Sequence, residues 1–449
     1  MSSPRFVIVG GGASGTLVAL QLLRQAKRPV EVVLAEPGCI GRGVAYGTPH
    51  REHLLNVPSG RMSALPDEPD HFVRWLESAS EPADPGGFAP RRVYGTYLQS
   101  QLTDAAASAV DGVRFHRVRE DVVAIGPRPG EALAVLRSGR TLEADRVAIA
   151  VGNIVGPGPL PALCDHPRYV SDPWAVGALE PISPTDPVLV LGTGLTMVDT
   201  ALVLSARAHA APLHAVSRHG LLPLPHAAGA LAPPNLRPPR RAPSLRGWLR
   251  WARGLRGSNG DWCAVIDALR PLTQEAWTRL GDADRRRFLR HLRPHWDVHR
   301  HRMPPSVAEA VAELLRTGRL EVRAARVTEV RSLSDGFEVH LAPRGGRSSH
   351  TTLRVGWIVN ATGPETDIGR AQSPLLRQLL RDGIARPDDL RLGLDATPAG
   401  ALLDGDGRRS SVLFTLGPLL RGQLWETTAV PEIRRQAQAL AAEWLAGHN

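Results

Sequence analysis

Gly10-Gly11-Gly12-Ala13-Ser14-Gly15 follows the apolar run Arg5–Val9 and leads into Thr16–Gln25, whose apolar residues recur at helical spacing. A strand, a glycine turn and a helix in that order form a seat for a diphosphate. Gly10 permits the tight turn, Gly12 lets the backbone approach the phosphates, and Gly15 permits close packing of helix on strand. Near Ser14 the helix presents unpaired N–H groups and the positive end of its dipole to the anion. The next apolar run, Val30–Leu34, is followed by Glu36, a carboxylate placed to accept from ribose hydroxyls. The glycines alone would also suit a plain turn in an unrelated α/β fold. The order of elements around them is what points to a dinucleotide.

A second strand–glycine–helix unit begins at Pro187–Leu191, with Gly192-Thr193-Gly194-Leu195-Thr196-Met197 as its turn and Leu195–Leu204 as its helix. Met197 stands where a third glycine would be, so the packing there must differ. The following strand, Leu213–Ser217, runs into Arg218 instead of an acid. An acid at that position repels the 2′-phosphate of NADP, whereas an arginine pairs with it, so the unit leans towards NADPH over NADH. A degenerate duplicate that no longer binds nucleotide is the other reading. Two dinucleotide units in series imply a flavin and a nicotinamide cofactor acting together. Disulfide reductases share that plan but need a redox cysteine pair, and Cys39 has no partner nearby.

His291, His295, His299 and His301 lie close together with Arg300 and Arg302. On a helix His295 and His299 share a face, as in metal sites, but Asp297 points elsewhere and no ligand set is completed. No metal is expected. A positive pocket for an anionic substrate is the better use of Arg300 and Arg302. His299 or His301 would serve as the base that deprotonates the substrate. The alternative is a charged helix face packed near Trp296.

The elements that hold these residues read as α/β. Asp145–Val151 is a further buried strand, and Leu353–Asn360 another, ending in Ala361-Thr362-Gly363. Strands at Leu320–Val322, Val327–Val330 and Phe337–Leu341 form a small antiparallel region, and the chain closes with the strand Ser411–Leu416, the turn Gly417-Pro418 and a helix over Pro431–Leu445. Residues 233–305 read as an Arg/Trp-rich helical insertion with proline-laden linkers. The expected organisation is two Rossmann-like dinucleotide-binding domains, the second inserted in the first. Residues 1–175 and 325–449 would form the FAD-binding domain and residues 176–324 the NAD(P)H-binding domain.

Composition narrows the class. The 449 residues carry 43% apolar and 22% charged types, enough for substantial cores. Lys27 is the only lysine beside 54 basic residues in total, so the net charge of +10 reflects a general preference for arginine. A phosphate-tracking surface would more often mix the two types, and no nucleic-acid partner is expected. Three well-separated cysteines do not suggest a disulfide framework. With no long apolar span and no export signal, a cytoplasmic protein without a membrane partner is expected.

A resemblance makes this specific. His53–Ala64 (HLLNVPSGRMSA), preceded by Gly41–Tyr46 (GRGVAY), is similar to the signature of a bacterial FAD/NAD(P)-binding monooxygenase family. So are Tyr94–Leu98, Asp297–Pro305 (DVHRHRMPP), Asn360–Gly363, Gly417–Arg421 and Leu424-Trp425-Glu426. Members of that family resemble FAD-dependent urate hydroxylases and FAD-dependent aspartate N-monooxygenases. The resemblance implies that Gly10, Gly12, Ser14, Gly15 and Glu36 hold the ADP half of FAD. It places Arg42, Tyr46 and the loop at Asn56 along the flavin, Asn56 as an amide that donates or accepts there, or else as a turn residue before Pro58. Gly363, Gly417 and Leu419 would approach the flavin's other end, and Gly192, Gly194 and Arg218 would contact NAD(P)H. The implied activity uses NAD(P)H and O2 to hydroxylate a small anionic nitrogenous substrate through a C4a-hydroperoxyflavin. Urate leads as substrate, giving 5-hydroxyisourate, with aspartate-type amino-acid N-hydroxylation as the alternative. A flavin-binding sensor or scaffold without turnover is the reading from another class.

Overall fold

The computed structural model describes residues 3–226, 244–259, 261–345 and 350–447. The chain divides into two units, one of Met1–Pro49, Val57–Gly156 and Pro364–Asn449, the other of His50–Asn56 and Pro157–Gly363.

The first unit carries β1 (Arg5–Val9), β2 (Val30–Ala35), β3 (Val113–Val118), β4 (Val122–Arg128), β5 (Glu131–Leu136), β6 (Thr141–Ala144), β7 (Arg146–Ile149), β15 (Ala401–Leu403) and β16 (Arg409–Thr415). Between them the second unit supplies β8 (Tyr169–Val170), β9 (Val188–Leu191), β10 (Leu213–Ser217), β11 (Leu320–Ser332), β12 (Phe337–Pro343), β13 (Thr351–Val355) and β14 (Trp357–Asn360).

In the first unit a six-stranded sheet has the order β15-β16-β7-β1-β2-β3. Every pairing except β15 with β16 is parallel, so both faces need cover. Alternation along β1 supplies the two faces. Phe6 reaches the C-terminal helix Val430–Ala446, its ring 5.3 Å from that of Trp444. Val7 and Val9 point the other way, into a core with Ile125, Ala134 and Leu136 of the antiparallel sheet β4-β5-β6 and with Leu375 and Leu379 of the helix Pro374–Arg381. Because β1 lies between β2 and β7, the connections leave in opposite directions there. The carboxyl ends of β1 and β7 thus form the switch point at which such sheets bind ligands.

The second unit repeats this plan. Its seven-stranded sheet runs β13-β12-β11-β10-β9-β14-β8, parallel from β8 to β11 and antiparallel from β11 to β13. Helices Leu195–Ala206 and Pro305–Arg316 cover one face through Met197, Ala201, Leu204, Val307, Val311 and Leu314. Helices Leu245–Asn259, Trp262–Arg279, Asp282–Arg287 and Arg293–Arg300, with a π-turn at Phe288–Leu292, make up the described part of the Arg/Trp-rich insertion. Its first residues, 233–243, lie outside the described residues. Among those described, no helix is long and apolar enough to cross a membrane.

Three segments fall in a different unit from the sequence reading, the first being His50–Asn56, which groups with the second unit. Residues 157–175 and 325–363 group with the second unit, because β8 and β14 extend the sheet built on β9 and β11 continues into its hairpin. The expected strands Leu320–Val322 and Val327–Val330 are one strand, β11, which pairs in parallel with β10 and then in antiparallel with β12.

Candidate functional site

Around β1 the turn is shaped by what leaves no room for side chains. Gly10 has φ +98° and donates to Ala35 O at 2.9 Å. A Cβ on it would lie 2.6 Å from the carbonyl oxygen of Ala150, at the end of β7. A Cβ on Gly15 would lie 1.8 Å from Gly10 O, so only glycine lets this helix pack so close to the strand. Gly12 caps the helix Ala13–Gln25 without a side chain, and a Cβ on it would meet only Gly43 Cα, at 3.6 Å. No side chain at the cap position therefore stands over the leading helix amides, as an anion seat requires.

Glu36 closes the far side. Its Oε2 accepts from Gly11 N at 2.7 Å and its Oε1 from Gly38 N at 2.8 Å. Each carboxylate oxygen keeps a lone pair for a ribose hydroxyl. Gly417, with φ +69°, comes against this turn: a Cβ on it would be 2.8 Å from Ser14 Oγ. Its amide donates to Gln436 Oε1 at 2.9 Å and its carbonyl accepts from Thr427 Oγ1 at 3.1 Å. Leu419 is fully buried, and its carbonyl accepts from Leu394 N at 2.9 Å, so it fixes the bend from the core. Arg42 Nε donates to Gln99 Oε1 at 3.4 Å. Tyr46 packs edge-on to Tyr94 at 4.8 Å, and desolvation pushes its phenol up to about 12. Tyr94 and Tyr97 are fully buried core residues. Gly10, Gly12, Ser14, Gly15, Glu36 and Gly417 gather at the carboxyl end of β1 and could hold the adenosine diphosphate end of a dinucleotide.

The turn after β9 repeats the geometry. Gly192 has φ +109°, and a Cβ on it would lie 2.3 Å from Ala361 O, at the end of β14. Over Gly194 nothing stands within 4 Å. Met197 is fully buried in the core that the third glycine would otherwise have closed. Thr193 Oγ1 donates to Leu221 O at 2.6 Å and shares a 2.9 Å hydrogen bond with Ser217 Oγ, so hydroxyls tie this turn to the strand where a carboxylate does so in the first unit. Arg218 follows, exposed. Gly363 ends the segment after β14, whose Ala361 O faces the Gly192 turn because β14 pairs with β9.

The catalytic and substrate candidates fall in the second unit. Leu224 N donates to Val298 O at 3.0 Å, Met303 N to Leu224 O at 2.8 Å and His226 N to Met303 O at 2.9 Å. His226 Nε2 in turn meets Asn56 O at 3.1 Å, so this ladder links Asn56 to the 298–303 segment. His299 Nδ1 donates to His295 O at 2.7 Å, which leaves Nε2 as the acceptor nitrogen of a neutral ring. His301 Nε2 lies 4.0 Å from Asp297 Oδ1, itself on the helix that carries Arg293 and Arg300. Arg302 differs from its neighbours. It is 4% exposed, its Nε donates to His299 O at 2.7 Å, and one terminal nitrogen reaches Asp267 and Cys263 O. That guanidinium anchors the segment to the helix Trp262–Arg279. The sequence reading did not single out His226, nor His219 and Arg344, which hydrogen-bond one another beyond β10. Their partners are remote in sequence, and only the adjacency of His219 to Arg218 was visible there.

Residues 7–154 match a family model described as FAD-NAD(P)-binding. No characterised protein sequence matches the chain. Among solved structures it is similar to the ornithine N-hydroxylase of Kutzneria sp. 744, solved with reduced FAD, NADP+ and L-ornithine, at TM-score 0.67 and 15% identity over 100% of both chains. It is also similar to ornithine hydroxylase from Pseudomonas aeruginosa, at TM-score 0.69 and 14% identity over 100% of both chains. A third likeness is to L-lysine 6-monooxygenase from Pseudomonas syringae, at TM-score 0.65 and 18% identity over 99% of both. These likenesses carry the fold: two nucleotide-binding frames in one α/β chain.

Proposed function

We propose that this protein is an FAD- and NADPH-dependent monooxygenase that hydroxylates the nitrogen of an amino acid or a related amine. The observation that carries the reading is the repeated glycine turn, Gly10–Gly15 and Gly192–Met197, within a fold matched end to end by N-hydroxylases. Urate, the leading substrate from the sequence, loses that place, since nothing in the matched structures supports a purine. The three cysteines are free, which speaks against a disulfide reductase on the same plan.

In this reading Gly10, Gly12, Ser14 and Gly15 take the flavin nucleotide's diphosphate and Glu36 its ribose. Gly192 and Gly194 take the diphosphate of NADPH. A flavin held there would supply hydride acceptance from NADPH and activation of O2, one oxygen atom going to the substrate and the other leaving as water. The chain's own residues prepare the substrate. An amine attacks only as the free base, so its ammonium must lose a proton. His299 Nε2, made the acceptor by the Nδ1 bond to His295 O, is the group to take it. Arg300 pairs with a substrate carboxylate, while Arg302, held by Asp267, keeps the segment in place. Asn56, tied through its carbonyl to His226, offers its side-chain amide as a polar group toward a ligand.

The test is a substrate panel on the yellow, flavin-loaded protein: ornithine, lysine, cadaverine, aspartate and urate, following NADPH oxidation, O2 uptake and hydroxylamine formation. One amine should give all three signals in step. Protein that purifies without flavin, or that consumes urate and forms no hydroxylamine, overturns the proposal.

A further inference from the structure

We propose that Arg344, oriented by His219 and joined by Arg218 and His295, forms a clamp for the 2′-phosphate of NADPH at the carboxyl end of β10. The inference rests on the reading that the turn after β9 seats a nicotinamide nucleotide, and it deepens that reading by naming the residues that choose between NADPH and NADH.

In a βαβ frame the residue after the second strand meets the 2′ position of the adenosine ribose. In the first unit that place holds Glu36, whose carboxylate is bound to Gly11 and Gly38 amides. In the second unit Thr193, Ser217 and Leu221 O supply the link instead. Arg218 and His219, not an acid, follow β10. Cations occupy that end. Arg344, at the end of β12, is brought alongside by its amide, which donates to Ala324 O at 3.1 Å. Gly220, at φ +61°, turns closely beneath it: a Cβ there would lie 3.0 Å from Ala324 N.

The hydrogen bond between Arg344 and His219 Nδ1 has only one polarity, because a guanidinium has no acceptor. His219 Nδ1 accepts, and its Nε2 carries the proton as a further donor. Desolvation holds the His219 pKa below its ordinary value, and Arg344, Arg218 and His295 add to the effect. The His295 ring lies 6.0 Å from that of His219. Among the described residues no carboxylate forms an ion pair with Arg218 or Arg344. Gathering four basic side chains without a counter-charge is unfavourable unless an anion completes them. A phosphate monoester with two charges and three acceptor oxygens matches two guanidinium forks and two imidazoles.

Calorimetric titration of the flavin-loaded protein with 2′,5′-ADP and with 5′-AMP tests the clamp directly, without turnover. The wild type should bind 2′,5′-ADP about 100-fold more tightly than 5′-AMP, as two charge-assisted contacts imply. Arg344→Ala should lose about 10-fold or more in 2′,5′-ADP affinity and leave 5′-AMP within about two-fold. Arg218→Ala should do the same. For His219, a positioning residue, His219→Ala should weaken 2′,5′-ADP by a few-fold, and His219→Gln, which keeps an acceptor, should restore it. Equal affinity of the wild type for the two nucleotides, or an unchanged Arg344→Ala, overturns the clamp while leaving the monooxygenase reading intact. Failure to bind either nucleotide, or NADPH itself, overturns both.

Discussion

The two glycine turns solve one backbone problem alike and then diverge in charge. In each, a positive-φ glycine sits against the carbonyl that ends the neighbouring parallel strand: Gly10 against Ala150, Gly192 against Ala361. That contact is backbone on backbone, so it survives wide differences in sequence. The side chains around it do not repeat. Gly15 admits no Cβ, whereas its counterpart Met197 is a buried core residue. Glu36 and its two amides close the first turn, while hydroxyls and then Arg218 close the second. In the proposed reading the frame fixes where a diphosphate goes, and the residue after the second strand decides which ribose end is welcome.

The largest effects should come from filling the turns. Gly15→Val drives a branched side chain into Gly10 O and should yield protein without flavin, read from the visible spectrum after purification. Gly192→Ala adds a Cβ 2.3 Å from Ala361 O at a positive φ, and should retain flavin while losing NADPH binding by calorimetry. If Gly192→Ala strips the flavin as Gly15→Val does, the two turns do not serve separate nucleotides.

A smaller effect separates the adjacent arginines. Arg302→Ala removes a buried guanidinium from Asp267, Cys263 O and His299 O, and should cost about 3 kcal/mol in urea unfolding. Arg300→Ala should cost less stability than Arg302→Ala and raise the KM for a carboxylated amine about 10-fold. The opposite pattern would move substrate recognition onto Arg302 and contradict its role as an anchor.

What the sequence conveyed follows the range of the interactions involved. The strands Arg5–Val9 and Leu213–Ser217 have the expected bounds, and the helix after the first turn begins at Ala13, only three residues early, because the turn itself supplies its first coil. Short apolar runs bounded by glycine are local signals and could be read directly. β3 went unread because Val113–Val118 lies at the sheet edge, where the pattern of burial is faint, and β4 to β6 are short strands of a separate antiparallel sheet. The assignment of β14 to the second sheet is a pairing with β9 that no local pattern encodes. His299 was visible as a candidate, but the bond to His295 O that sets its tautomer was not. Arg344 and His226 act through partners 125 and 170 residues away, beyond any motif.

The smallest effect concerns pH and again sets the two units side by side. His71 in the first unit, and His209 and His214 in the second, are held below the ordinary histidine value, in each case chiefly by desolvation. For a base with a lowered folded pKa, the unfolded chain binds the proton first. Stability is therefore complete above about pH 6.5, the unfolded value, and is lost as pH falls towards the folded values. Each such proton costs at most about 1.4 kcal/mol per pH unit within that window. His209 is 3% exposed, so His209→Leu keeps its packing and removes the titration. The difference between urea midpoints measured at about pH 7.5 and about pH 5.5 should shrink in this variant relative to the wild type. His71 differs in that its Nδ1 meets Tyr97 Oη at 2.9 Å, so His71→Leu sacrifices a hydrogen bond and should lower the midpoint at both pH values while also reducing their difference. An unchanged pH difference in His209→Leu would show that burial at this position does not discriminate between the charge states, and would leave His71 and His214 as the source of the acid sensitivity.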